Sequence, residues 1–249
     1  MSLLEVDNLV KHFRGLMALS SLSFSVEAGE IAGVIGPNGA GKTTAFNCIT
    51  GFIGVDSGVV KLSGAKLTGK KPYEIVNQGL ARTWQLVRPF FGMRVIEALY
   101  VPSFCPRSQK LSGSAAETKD RIVDIAESLG IAGRLNDWVD NLNQGELRLL
   151  DIARSMVTNP LVLLLDEPFS GLSHKEIERI SSTVQLLNET GLTVIIIEHR
   201  LRELMKLVQK VVVVNFGQKI AEGTPTEVVR NPGVIEAYLG KKGADLGIA

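Results

Sequence analysis

Gly36-Pro37-Asn38-Gly39-Ala40-Gly41-Lys42-Thr43 is the stretch that decides the fold of this 249-residue sequence. The spacing Gly36-x4-Gly41-Lys42-Thr43 follows the apolar run Ile31 to Ile35 and precedes the apolar helical stretch Ala45 to Ile49. A strand therefore feeds a glycine-rich turn that opens a helix, which is the context a phosphate-binding loop requires. Gly36, Gly39 and Gly41 let backbone N–H groups turn inward around phosphate oxygens, and the helix beginning near Lys42 presents its positive dipole end to the anion. In that setting Lys42 would neutralise β and γ phosphates, and Thr43 would offer a hydroxyl to the accompanying Mg²⁺. The bland alternative, a glycine-rich turn that binds nothing, is opposed by the full match of the motif.

Working outward, Leu161-Val162-Leu163-Leu164-Leu165-Asp166-Glu167 is an apolar strand ending in two acids. Asp166 is placed to hold Mg²⁺ through water, and Glu167 to orient an attacking water. Neighbours on an extended strand point to opposite sides, which would let the two acids take different roles. Two solvated acids at a strand end are the competing reading, and it is the phosphate loop that weighs against it.

Other runs fix the architecture. Thr193 to Ile197 and Val211 to Val214 are short, continuous and rich in branched residues, as are strands covered on both faces in a parallel sheet. Between them Ile177, Ile180, Val184 and Leu187 repeat at helical spacing, as do Leu201, Leu204, Met205 and Val208. Near the start, Leu4, Val6 and Leu9, then Leu22, Phe24 and Val26, alternate as half-buried antiparallel strands do.

The expected fold is α/β of the P-loop NTPase class: a mostly parallel core sheet, an N-terminal antiparallel β-subdomain and an inserted helical subdomain at about 86–157. The stretch from about Lys71 to Val157 interrupts the α/β order, and helical spacing at Ile122, Ile125, Ala126 and Leu129, and again at Leu150, Ala153 and Val157, marks the insertion. Pro102 to Lys119, without periodicity, reads as a loop inside it. Residues 1–240 form the expected domain, its short C-terminal helices ending near Leu239, and 241–249 the expected tail.

Composition removes other classes. With 27 Lys plus Arg against 26 Asp plus Glu, no charge excess argues for a nucleic-acid surface. Cys48 and Cys105 lie in no CxxC or Cys/His cluster, so neither a disulfide framework nor a cysteine metal site is expected. The longest apolar runs fall well short of the ~20 residues of a spanning helix. Met1 to Leu9 carries acids and no signal-like apolar segment, and the chain is read as cytoplasmic.

Taken in order, these motifs resemble those of ATP-binding-cassette (ABC) ATPases over nearly the whole chain. The resemblance implies that Gly36, Pro37, Asn38, Gly39, Ala40, Gly41, Lys42, Thr43 and Thr44 bind nucleotide, with Phe13 of Lys11-His12-Phe13-Arg14-Gly15 stacking on adenine. It implies that Gln85 of Arg82-Thr83-Trp84-Gln85 ligates Mg²⁺ with Thr43 and Asp166 and senses the γ-phosphate. It also makes His199 the switch histidine that steadies the attacking water. Glu167, His199, Lys42 and Gln85 are thus the expected catalytic set. Taken alone, Phe13 would be core and His199 a polar strand cap.

Leu142-Asn143-Gln144-Gly145-Glu146 stands where the family signature reads Leu-Ser-Gly-Gly-Gln, a segment that reaches the γ-phosphate bound to an opposite subunit. Asn143 and Gly145 are the expected contacts there. Asn143 still caps the helix, and Glu146 three residues on completes a capping box. A well-capped helix without phosphate contact is the competing reading, since Gln144 adds a side chain where the family has glycine. Ser173 and Arg200 also depart from the family pattern. The expectation is a heterodimer with unequal sites, a homodimer being the alternative.

Thr50-Gly51-Phe52, Arg82-Thr83-Trp84-Gln85, Gly217 to Pro225 and Val234 to Gly240 resemble the ATP subunits of branched-chain amino-acid importers. That implies a subunit on the cytoplasmic face of the inner membrane, paired with a second ABC ATPase and two transmembrane permeases and served by a solute-binding protein. The alternatives are a soluble ABC protein acting on DNA or ribosomes, a P-loop kinase, and a regulatory ABC subunit with a weakened signature.

Overall fold

Alternating burial builds the first layer. A computed structural model describes residues 2–239, so the expected tail at 241–249 lies outside the described residues. In β1 (Ser2–Phe13) Leu4, Val6 and Leu9 are buried, and in β2 (Leu16–Glu27) Leu22, Phe24 and Val26 are. The two strands pair antiparallel, with Leu4 opposite Val26 and Val6 opposite Phe24. The wholly buried β3 (Ile31–Ile35) leads through the glycine loop into α1 (Lys42–Ile49). β4 (Ser57–Leu62) and β5 (Ala65–Lys66) then complete an antiparallel sheet in the order β2-β1-β4-β5.

After α2 (Pro72–Gln78) comes β6 (Leu80–Arg82), followed by α3 (Val95–Tyr100), α4 (Pro106–Gln109), α5 (Ala115–Ser128) and α6 (Gln144–Val157). The chain returns to α/β order with β7 (Val162–Asp166), α7 (His174–Glu189), β8 (Thr193–Ile197) and α8 (Leu201–Leu207). It continues through β9 (Lys210–Asn215), β10 (Gln218–Gly223), α9 (Pro225–Val229) and α10 (Pro232–Leu239).

The second sheet runs β10-β9-β3-β8-β7-β6, parallel throughout except for the edge strand β10. Successive residues of its strands feed two different cores. Val162 and Leu164 pack toward α1 and the antiparallel sheet, whereas Leu163 and Leu165 pack toward α6, α7 and α8; Ile195 and Ile196 divide the same way. Burial on both faces is why these strands read as continuous apolar runs.

Two expectations are corrected. Pro102 to Lys119 is largely helical, formed by a 3-10 turn at Val101–Phe104, α4 and the start of α5. Cys105 Sγ accepts from Ser108 N at 3.4 Å, Ser114 Oγ accepts from Glu117 N at 3.2 Å, and the buried Ser108 hydroxyl donates to Val157 O at 2.8 Å. Caps and a buried anchor hold pieces too short to show a helical period. Secondly, β6 joins the core sheet although it lies in the stretch expected to interrupt it; with only three residues it has no readable pattern.

Candidate active site

The glycine loop is shaped by close backbone approach. Gly41 has φ 103°, and a Cβ there would lie 2.5 Å from the carbonyl oxygen of Ala18; at Gly36 a Cβ would strike the carbonyl of Val214. Only glycine tolerates both demands. Ala40 N donates to Pro37 O at 3.1 Å, and Gly217 N donates to Ala40 O at 2.9 Å, tying the loop to the turn after β9. Lys42 is buried, and its ammonium donates to Gly36 O at 2.6 Å and Pro37 O at 3.0 Å. Burial lowers the Lys42 pKa, while the carboxylates of Glu167 and Asp166 pull the other way. An anion entering the loop would favour the charged form further.

A cavity of about 520 Å³ opens on this loop. It is lined by Phe13, Leu16, Met17 and Ala18 of the β1–β2 hairpin, by Asn38 to Thr44, by Glu167 and His199, and by Phe216. Phe13 is 41% exposed. Lys11 Nζ sits 5.6 Å from the centroid of that ring. An aromatic side chain, a glycine loop opening a helix, and a carboxylate with a histidine around one cavity suit a nucleotide.

Glu167 is held by two polar neighbours. Its Oε1 is 2.6 Å from His199 Nε2, and its Oε2 accepts from Gln85 Nε2 at 2.8 Å. Strand β7 closes at Asp166, and Glu167 leaves it at φ 49°, its N–H donating to Ile197 O at 2.8 Å. The two acids therefore diverge because Glu167 itself is left-handed and lies outside the strand, rather than by strand alternation as expected. Such a conformation in a non-glycine residue is sparsely populated, stores strain and clusters at functional sites.

The residues that fit a divalent cation are oxygen donors: the Thr43 hydroxyl, the Asp166 carboxylate, and Gln85 Oε1, since Gln85 Nε2 is committed to Glu167. Among the described residues, no group of three or more His, Cys, Asp or Glu is placed to hold a metal on its own. A small set of this kind suits Mg²⁺, which binds through one or two carboxylates together with substrate phosphates.

Asn143 and Gly145 do not line this cavity. Asn143 caps α6: its Oδ1 accepts from Glu146 N at 2.9 Å, and Glu146 Oε2 accepts from Asn143 N at 3.0 Å, the capping box read from the sequence. Gly145 is buried against the Glu176 side chain of α7, and a Cβ there would lie 2.8 Å from Glu176 Oε1, so a larger residue would displace that carboxylate.

Two buried arginines belong to the site and were not singled out from the sequence. Arg82 Nη2 donates to Asp166 Oδ2 at 2.6 Å. Arg148, on α6, donates to the carbonyls of Trp84 at 2.6 Å and Gln85 at 2.9 Å, fastening the Gln85 segment to that helix. The one available signal was a charge inside an apolar pattern, as at Arg148 between Leu147 and Leu149.

A parallel sheet, a glycine loop feeding a helix, and an acid-ended neighbouring strand define a nucleotide-binding P-loop ATPase. The family model described as ABC transporter matches residues 19–170, and one described as branched-chain amino acid ATP-binding cassette transporter matches residues 218–244. The chain is 39% identical over 96% of its length to the high-affinity branched-chain amino acid transport ATP-binding protein LivG of Salmonella typhimurium, covering 98% of that protein. It is 36% identical over 99% of its length to a probable branched-chain amino acid transport ATP-binding protein LivG of Archaeoglobus fulgidus, covering 98% of it. The crystal structure of the ADP conformation of MJ1267, an ATP-binding cassette of an ABC transporter, superposes with a TM-score of 0.88 at 33% identity, across 96% of this chain and 99% of that one. The chain belongs to the ABC transporter family, as an ATP-binding subunit. Among the described residues no helix is long and apolar enough to cross a membrane.

Proposed function

We propose that this chain binds Mg²⁺-ATP in the cavity between Phe13 and Glu167 and hydrolyses it to drive uptake of branched-chain amino acids. The observation that carries the hydrolytic part is the Glu167 carboxylate held between Gln85 and His199 beside the phosphate loop. The names of the relatives and the match over residues 218–244 support the solute class.

Phe13 stacks on adenine, the loop from Gly36 to Thr44 wraps the phosphates with N–H donors, and Lys42 turns its ammonium from Gly36 O and Pro37 O to the anion. Thr43, Asp166 and Gln85 Oε1 hold Mg²⁺, which when bound spreads the phosphate charge. Glu167 takes a proton from a water whose oxygen bonds to the γ-phosphorus as the bond to the β-phosphate oxygen breaks. His199 keeps that carboxylate and water in line. Positioning and charge stabilisation supply the rate enhancement.

Residues 1–240 act as one ATPase domain, the helices of 86–157 forming the unit that meets the membrane partner. The chain works on the cytoplasmic face of the inner membrane with a second ABC ATPase, two permeases and a solute-binding protein. Asn143 Oδ1 is spent on its own helix and Gly145 is packed against Glu176, which favours a heterodimer in which this chain serves the partner's ATP less well than its own. The test is co-purification with the membrane partners and measurement of ATP hydrolysis in vesicles. Hydrolysis stimulated by a branched-chain amino acid with its binding protein is expected; stimulation only by an unrelated solute would overturn the solute class. Disabling the catalytic Glu of each subunit in turn tests asymmetry, and equal losses would remove it.

A further inference from the structure

Arg82 makes contacts that packing alone does not require. Its side chain is 4% exposed, with Nη2 donating to Asp166 Oδ2 at 2.6 Å and Nη1 to Asn47 Oδ1 at 2.6 Å. The guanidinium carbon lies 4.4 Å from the Trp84 ring centroid and 5.6 Å from that of Phe46. Asn47 is on α1, the helix that begins Lys42-Thr43, Asp166 ends β7, and Trp84 precedes Gln85. One buried side chain thus touches all three segments that carry Thr43, Asp166 and Gln85.

A buried ion pair is a weak source of stability, because desolvation offsets most of its Coulombic gain. What this fork does supply is geometry: it fixes one carboxylate oxygen of Asp166 and sets the distance from β7 to α1. Lysine cannot reproduce two directed bonds from a planar group.

We infer that Arg82 is a positioning residue for hydrolysis, acting through Asp166 to align the three oxygen donors for the divalent cation. The inference rests on the reading of Thr43, Asp166 and Gln85 as Mg²⁺ ligands given above. Arg82 does not line the cavity between Phe13 and Glu167; its effect is on how much the metal adds to nucleotide binding.

The test measures ATP affinity in EDTA and in Mg²⁺ for the full chain, Arg82→Lys, Asn47→Ala and Asp166→Asn. The unsubstituted chain should gain affinity from Mg²⁺. Arg82→Lys should keep its affinity in EDTA and lose about tenfold of the Mg²⁺-dependent gain, the scale of one charge-assisted hydrogen bond. In the Asp166→Asn background, Arg82→Lys should add nothing further. Asn47→Ala, which removes one arm of the fork without touching the buried charges, should show a smaller loss in the same ratio and covers the case that Arg82→Lys does not fold. A parent-like gain in a folded Arg82→Lys or Asn47→Ala, or equal losses with and without Mg²⁺, would reduce Arg82 to a packing residue. No Mg²⁺-dependent gain in the unsubstituted chain would overturn the ligand assignment instead, and this inference with it.

Discussion

Glu167 Oε1 stands 2.6 Å from His199 Nε2, while the other oxygen of the same carboxylate takes a hydrogen bond from Gln85. The carboxylate is therefore aimed from both ends, and the two neighbours come from separate parts of the chain. Replacing Glu167 with Gln keeps the shape and removes the base. ATP binding should persist while turnover falls about 10²- to 10⁴-fold, the usual contribution of a positioned general base. His199→Ala should also slow turnover, and the double variant should be no slower than the worse single one, because residues acting as a unit are not additive. Single-turnover hydrolysis with saturating ATP checks both. Near-normal turnover in Glu167→Gln would remove that residue from the role.

Phe13 lines the same cavity as Glu167 and His199 and is 41% exposed. Stacking on a base is worth roughly 1–3 kcal/mol and does not depend on which base it is. Phe13→Ala should therefore weaken ATP and GTP about equally, by roughly 5- to 150-fold on that scale. Equilibrium titration of both nucleotides reads this out. Unchanged affinity would return Phe13 to a purely structural role.

At Gly41, φ is 103° and an added Cβ would meet the Ala18 carbonyl oxygen at 2.5 Å. Neither the angle nor the carbonyl can shift without moving β2. Gly41→Ala should lower the stability of the protein by about 2 to 3 kcal/mol, as special-backbone substitutions do. Urea unfolding of the nucleotide-free chain measures it; a loss confined to nucleotide affinity with stability intact would contradict this account.

The parts of the molecule legible in the sequence are those that local chemistry dictates. The loop from Gly36 to Thr43 declares itself because glycine spacing, a preceding strand and a following helix are all contiguous. Buried strands such as Thr193–Ile197 are legible for the same reason, their branched residues filling both faces. Arg82 and Arg148 are different. Their partners, Asp166 and the carbonyls of Trp84 and Gln85, lie 84, 64 and 63 residues away, so nothing near them in sequence marks them. The left-handed turn at Glu167 is equally hidden, since a glutamate gives no hint of positive φ and only the closing of β7 against Ile197 enforces it. The turns at Val101–Phe104 and Pro106–Gln109 escaped because each is shorter than the window over which a period emerges, and the first turn of α5 because its apolar spacing begins only at Ile122.

Asp56 anchors the end of β1 from which Phe13 projects. Its Oδ1 accepts from Lys11 Nζ at 2.9 Å, and its Oδ2 accepts from His12 N at 2.6 Å and lies 3.2 Å from His12 Nδ1. The hydrogen bond from Lys11, followed by that from the His12 backbone, lowers the Asp56 pKa from 3.8 to about 2. Because the folded value is the lower one, the unfolded chain binds more protons between these two values, and stability rises with pH across that window. The stabilisation from Asp56 is complete above the unfolded value and is lost as pH falls through the folded value. Asp56→Asn should therefore melt below the parent protein at neutral pH, and the gap should close as pH falls from about 4 to about 2. Asp56 is exposed, so the gap should also narrow in high salt. Melting curves at stepped pH and two ionic strengths give the answer, and a gap that holds constant down to pH of about 2 would show that the Lys11 and His12 contacts do not depend on the Asp56 charge.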